Sequence, residues 1–255
     1  MISTLVAMAA CSPFSGSDSS ATDAGTGPDA GTGGVPAEGG GPPRTCVQPF
    51  ELCQDFEGVM GPLFGATRRE SDPVDPAMTF TLVDDSRRPG HVLQSELKIS
   101  DARSHDGFLS YPLGVTLLGD NKRIRLSFSF QVEKTTTAYA VLAAFNVSHK
   151  NGQTIFGIST YHNAVGASSD QMHASGLDDQ DWHTAVVTLS ASKPLATNNL
   201  TVSWTAMFDG KPIATNPVTF TEAVGGLDLL IGQFYTGTEA SDTIIRYDDI
   251  KVDVP

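Results

Sequence analysis

The chain has 255 residues, 40% of them hydrophobic, with a formal net charge of −13 and a pI near 4.7. That length and apolar content suffice for one large β domain or two small ones, with a core that needs neither metal nor disulfide. The acidity argues against partners held through phosphates: the densest basic runs, "TRRE" and "DNKRIR", read as solvated strand ends, which excludes nucleic acid and an anionic membrane surface for the folded part.

The first eleven residues, "MISTLVAMAAC", resemble the end of a bacterial lipoprotein signal peptide. An apolar run leads to Met8, Ala9, Ala10 and then Cys11, whose thiol would carry diacylglycerol after cleavage. Ser12, rather than Asp, follows that cysteine, which under the lipoprotein sorting rule implies the outer membrane or cell surface. From 12 to 45 the chain is almost entirely Gly, Ser, Thr, Ala, Pro and Asp, with "DAGTG" at 23–27 and again at 29–33. Such a stretch buries too little apolar surface to offset its ordering entropy, so it is expected to be a disordered tether with an r.m.s. reach of about 30 Å. Signal, lipidated cysteine, tether and domain follow one another in the order an exported envelope protein requires.

With Cys11 assigned to lipid, the remaining cysteines are Cys46 and Cys53 in "CVQPFELC". An exported location permits a disulfide between them, worth roughly 2–3 kcal/mol in the chain-entropy model and pinning the strand that begins the domain. A metal site is the weaker use, because none of the six His stands at the spacing of a zinc motif.

After Cys53 the pattern is β throughout. Strands are predicted near 78–84, 91–99, 106–112, 137–148, 153–161, 182–190, 227–235 and 243–254. The clearest is "KRIRLSFSFQVEK", with Ile124, Leu126, Phe128, Phe130 and Val132 on one face and Arg123, Arg125, Ser127, Ser129 and Gln131 on the other. In "NNLTVSWTAMFDG" the apolar parity is Leu200, Val202, Trp204, Ala206 and Phe208, and Asp209-Gly210 turns the chain into the next strand from Lys211. No stretch keeps a 3.6-residue period. Many strands with turn signals about every ten residues imply an all-β sandwich or barrel.

The order "CQDFEG", "GHVLQSELKI", "GFLSYPL", the long alternating strand, "DWHTAVVTLS", a strand ending in "FDG", "LLIGQFYTG" and "RYDDIKVDV" resembles the concanavalin A-like lectin/glucanase superfamily, including laminin-G-like jelly rolls, over about 46–255. The resemblance implies an antiparallel two-sheet jelly-roll β-sandwich for 46–255, preceded by the signal-like segment 1–11 and the tether 12–45. It also implies that Trp182 and Trp204 pack in the core. Counting back by twos from Val254 puts Val252, Ile250 and Asp248 on one face, turning a carboxylate toward the core. In several such jelly rolls an Asp of the last strand holds a structural calcium, which makes Asp248 a candidate ligand. A bulge near Tyr247 would instead leave Asp248 hydrogen-bonded and metal-free at the sandwich end.

The glucan hydrolases of this superfamily place paired carboxylates on one strand, and no Glu-x-Asp-x-Glu string occurs here. Alginate-type lyases are the nearer comparison, matched in order by "QSELK" at 94–98, "QMH" at 171–173 and "GQFYTG" around Tyr235. Gln94, however, stands where the arginine that pairs with a uronate carboxylate belongs. The expected function is therefore non-catalytic: an exported, lipid-anchored module binding a polysaccharide or another envelope ligand. A uronate-polymer lyase is the alternative. On a jelly-roll sheet, rings stack on sugar faces while amides and imidazoles bond hydroxyls, so Tyr161, His162, His173 and Tyr235 are the candidate glycan contacts.

Overall fold

A computed structural model describes residues 52–54, 56, 67–70, 78–88, 90–98, 107–114, 118, 122–134, 140–161, 164–167, 171–173, 180–192, 199–213, 215–235 and 242–254. The chain divides into units Met1–Gly39 and Gly40–Pro255, and all described residues belong to the second. The expected signal segment and tether, with Cys11 and Cys46, lie outside them.

Among the described residues there is no α-helix, and sixteen strands form two antiparallel sheets. In chain order they are β1 (Leu52–Gln54), β2 (Thr67–Glu70), β3 (Met78–Asp84), β4 (His91–Leu97), β5 (Gly107–Pro112), β6 (Arg123–Lys134), β7 (Ala140–His149) and β8 (Gly152–Tyr161). There follow β9 (Ala164–Ala167), β10 (Gln171–His173), β11 (Trp182–Ser192), β12 (Leu200–Phe208), β13 (Lys211–Ile213), β14 (Val218–Phe220), β15 (Val224–Tyr235) and β16 (Thr243–Asp253). The first sheet runs β13-β12-β11-β6-β16-β4-β3, with β1 beside the C-terminal half of β16 and β14 beside β12. The second runs β10-β9-β8-β7-β15-β5-β2. The alternating pattern predicts a sandwich or barrel, and the structure is the antiparallel two-sheet jelly-roll β-sandwich that the resemblance implies.

The long strands form where alternation is strongest. On β6, Ile124, Leu126, Phe128, Phe130 and Val132 are all at most 4% exposed and face the other sheet, where Phe145, Val147, Phe156, Leu229 and Ile231 meet them. Fully burying each such side chain contributes about 1.5–3 kcal/mol. Asp209 and Gly210 take φ of +46° and +73° between paired Phe208 and Lys211, as a two-residue hairpin with the strands' own twist requires. The Asp209 carboxylate fastens this turn, accepting from the Thr184 amide at 2.8 Å and lying 2.8 Å from Nδ1 of His183.

Polar ties cross the core where strands bulge. Register shifts fall between Ile231 and Phe234 on β15 and between Val141 and Ala143 on β7. The Tyr247 hydroxyl, reaching over from the first sheet, lies 2.9 Å from the Gly232 carbonyl and 3.1 Å from that of Leu142 at these bulges. Gln233 donates back across the sandwich to the Ser95 hydroxyl at 3.1 Å.

The structure corrects two expectations about facing. Register on β16 slips between Asp248 and Lys251, and Asp249 takes φ of +53°. Before the bulge Ile245 and Tyr247 face the core, and after it Ile250 and Val252 do, so Asp248 lies on the outer face rather than toward the core. A bulge adds one residue to one strand and so reverses the parity that counting by twos assumes. Trp204 is a core residue, but Trp182 is half-buried, lies outside the core cluster and alternates with buried His183. It therefore belongs to the outer face of the first sheet.

Candidate functional site

The outer face of the second sheet is built from small residues. Register aligns Ser110, Leu230, Ala144 and Gly157 in one row across β5, β15, β7 and β8, and Asp228, Asn146 and Ile155 in the next. Phe145 and Val147, which flank Asn146, are core residues, so alternation turns Asn146 outward. An outward row is ordinarily wet, yet here Ala144 is 0% and Ser110, Leu230 and Asn146 are each 2% exposed. The strands also approach closely: a Cβ built on Gly157 would lie 2.4 Å from the Ala143 carbonyl and 2.4 Å from the Ala144 Cβ. On this dry floor the Asn146 Oδ1 has no hydrogen-bond partner among the described residues. A buried acceptor left unpaired costs about 1–3 kcal/mol, and a ligand hydroxyl would remove that cost.

The candidate glycan contacts fall around this face without sharing one parity. Tyr161 lies on β8 with the parity of Gly157 and Ser159. His173, Val165, Thr160, Ala140 and Tyr235 form a single register row of the opposite parity, which includes the core residue Val165. His162 lies outside the described residues.

The outer face of the first sheet carries an ion-pair network. Register aligns Thr81, Gln94, Arg246, Gln131 and Trp182 across β3, β4, β16, β6 and β11. The Arg246 guanidinium donates to Gln94 Oε1 at 3.3 Å, Gln131 Oε1 at 3.2 Å and Asp85 Oδ2 at 3.2 Å, and lies 2.6 Å from Glu133 Oε2. Gln131 and Arg87 both donate to the Gln180 carbonyl, drawing the segment before β11 over the sheet. The turn after β3 folds over it as well. Asp85 Oδ1 accepts from the Arg87 amide at 2.7 Å, and Arg88 Nη1 donates to Asp248 Oδ2 at 2.7 Å and to Asp249 Oδ2 at 3.1 Å. The Arg88 guanidinium lies 4.2 Å from the Trp182 ring centroid.

Asp248 thus has both oxygens occupied, because the Asp249 amide donates to its Oδ1 at 2.8 Å. Burial pushes its carboxyl pKa up, the Arg88 hydrogen bond opposes this, and the Asp249 charge adds to the rise. The Arg88 guanidinium lies against the carboxylate that the resemblance makes a calcium candidate. Among the described residues no group of three His, Cys, Asp or Glu is placed to hold a metal ion. Cys53 lies half-buried on β1.

The strings that resemble a lyase are divided between the two sheets. Gln94 is on the first sheet, beside Arg246, whereas His173 and Tyr235 are on the second. Sequence reasoning missed Asn146, Arg246 and Arg88. The first two were legible as polar residues alternating with Phe145 and Val147 and with Ile245 and Tyr247. Arg88 belongs to a turn, and nothing local marks its partners.

The sequence matches no family model and no curated protein. Among solved structures, the chain is similar to a carbohydrate esterase of the Shiga toxin-encoding bacteriophage phi24B, with 18% identity over 81% of this chain and 98% of that one and a TM-score of 0.50. It is also similar to an alginate lyase from Chlorella virus, with 8% identity over 71% and 90% of the two chains and a TM-score of 0.49. A xylan-binding domain from Paenibacillus barcinonensis is 13% identical over 81% and 94%, with a TM-score of 0.38. At 18% identity the likeness to the esterase is one of fold, the two-sheet β-sandwich.

Proposed function

We propose that this chain is an exported, lipid-anchored module of concanavalin A-like type that binds a glycan without cleaving it, on the outer face of the second sheet. The observation that carries this reading is the Asn146 Oδ1, buried and unpaired on a floor of small residues. A sugar hydroxyl donates to that oxygen, and the small side chains let a saccharide ring approach the strands. A phage carbohydrate esterase of the same fold accords with a saccharide ligand. The lipobox-like start, the tether and a Cys46–Cys53 disulfide complete the proposed envelope protein.

Affinity electrophoresis through gels containing xylan, glucan, mannan or polyuronates tests the binding. The wild type is expected to be retarded by at least one of them, and Asn146→Ala, if it melts like the wild type, to migrate freely. Equal retardation of both proteins, or of neither, refutes the site. Unsaturated product absorbing in the ultraviolet on incubation with a polyuronate would establish the lyase alternative instead. The anchor has a separate test: Cys11→Ala should release a membrane-associated product, and equal partitioning of both forms would refute lipidation.

A further inference from the structure

The opposite face of the sandwich holds a second unmet demand, of the reverse kind. The indole N–H of Trp182 is withdrawn from water and has no hydrogen-bond partner among the described residues. Directly against that ring, every side-chain hydrogen bond of Arg88 runs through Nη1, which leaves Nε and Nη2 without a partner among the described residues. The Arg88 side chain is only 16% exposed. An indole N–H this poorly hydrated is expensive to leave unmade, whereas Trp204 shows the ordinary outcome, its indole donating to the Asn216 carbonyl at 2.8 Å.

Charge decides what kind of oxygen fits. Arg88 already faces Asp248 and Asp249, and Lys251 Nζ lies 3.4 Å from Asp249 Oδ1, so the local cations and carboxylates balance. An arriving carboxylate meets no net positive field here, and the chain as a whole carries −13. A neutral acceptor meets no such repulsion. From this arrangement we infer that Arg88 and Trp182 form a second saccharide subsite, on the outer face of the first sheet, that takes hydroxyl or ring oxygens of a neutral glycan. The inference rests on the glycan-binding reading above but uses none of the residues around Asn146.

The test is titration of the 15N-labelled full chain with xylohexaose and cellohexaose as neutral probes and trigalacturonate as the charged one, following the two tryptophan indole N–H resonances. The Trp182 resonance is expected to shift and saturate with a neutral probe while that of Trp204 stays in place. Trp182→Phe, which keeps a ring and removes the donor, and Arg88→Lys, which keeps the charge and removes the planar edge, should each weaken that binding about tenfold, the worth of one good hydrogen bond. A Trp182 resonance that moves only with trigalacturonate overturns the neutral class. One that moves with no probe, while glycan retardation dependent on Asn146 persists, overturns the subsite alone. Absence of both the shift and the retardation overturns the subsite together with the glycan-binding reading.

Discussion

Replacing Arg88 with alanine leaves a buried carboxylate without its counter-ion. Asp248 is 3% exposed, and Arg88 Nη1 lies 2.7 Å from its Oδ2. Removing one partner of a buried ion pair costs about 3–5 kcal/mol, because the other charge remains desolvated. Asp248 keeps the Asp249 amide on Oδ1, so the expected loss is at the low end, about 3 kcal/mol. For a domain of this size each kcal/mol moves Tm by about 2–4 °C, which places the drop at about 6–12 °C. The pH dependence carries the sign. Burial raises the Asp248 pKa, the Arg88 hydrogen bond lowers it and Asp249 raises it, so losing Arg88 drives it higher still. A carboxyl whose folded pKa lies above its unfolded one stabilises the fold while protonated. That contribution is lost as pH rises from the ordinary carboxylate range through the folded value. The gap between wild type and Arg88→Ala should therefore be widest near about pH 7 and narrow toward about pH 4. In an Asp248→Asn background the same substitution should cost only the stacking on Trp182 and the partly exposed pair with Asp249, together about 0.5–2 kcal/mol. Thermal melts of the four proteins across pH measure this directly. A gap that is small at neutral pH, or that does not change with pH, would refute the reasoning.

Three further outcomes follow from other contacts. Tyr247→Phe removes the hydroxyl bridging the Leu142 and Gly232 carbonyls and should lower stability by about 1–2 kcal/mol in denaturant titration, with an unchanged m-value. Gly157→Ala places a methyl 2.4 Å from the Ala143 carbonyl and should destabilise by about 1–3 kcal/mol, whereas Gly210→Ala, with nothing within 4 Å of its Cβ, should cost only the strain of its positive φ. Because Arg88 occupies Asp248, millimolar calcium is expected to leave the wild-type Tm unchanged, and a rise reversed by chelator would restore the calcium reading of that carboxylate.

Much of the architecture is local and was legible in the chain. The alternation Ile124, Leu126, Phe128, Phe130 and Val132 requires a strand with one apolar face, and Asp209-Gly210 requires a hairpin, because parity and positive φ are properties of neighbouring residues. Asn146 was legible for the same reason, as the polar residue between inward Phe145 and Val147. Short strands such as β9 and β14 escaped prediction, since a run of 3 or 4 residues has no period to read and is ordered by the partner it pairs with. The facing of Asp248 depended on a bulge that only its pairing with β6 reveals. The covered outer face of the first sheet depended on Arg88, which lies 160 positions from Asp248 in the chain. Backbone alternation is set residue by residue along the chain, but which strands become neighbours, where their register slips and which turn folds over which face are contacts between distant segments, and those the tertiary structure alone decided.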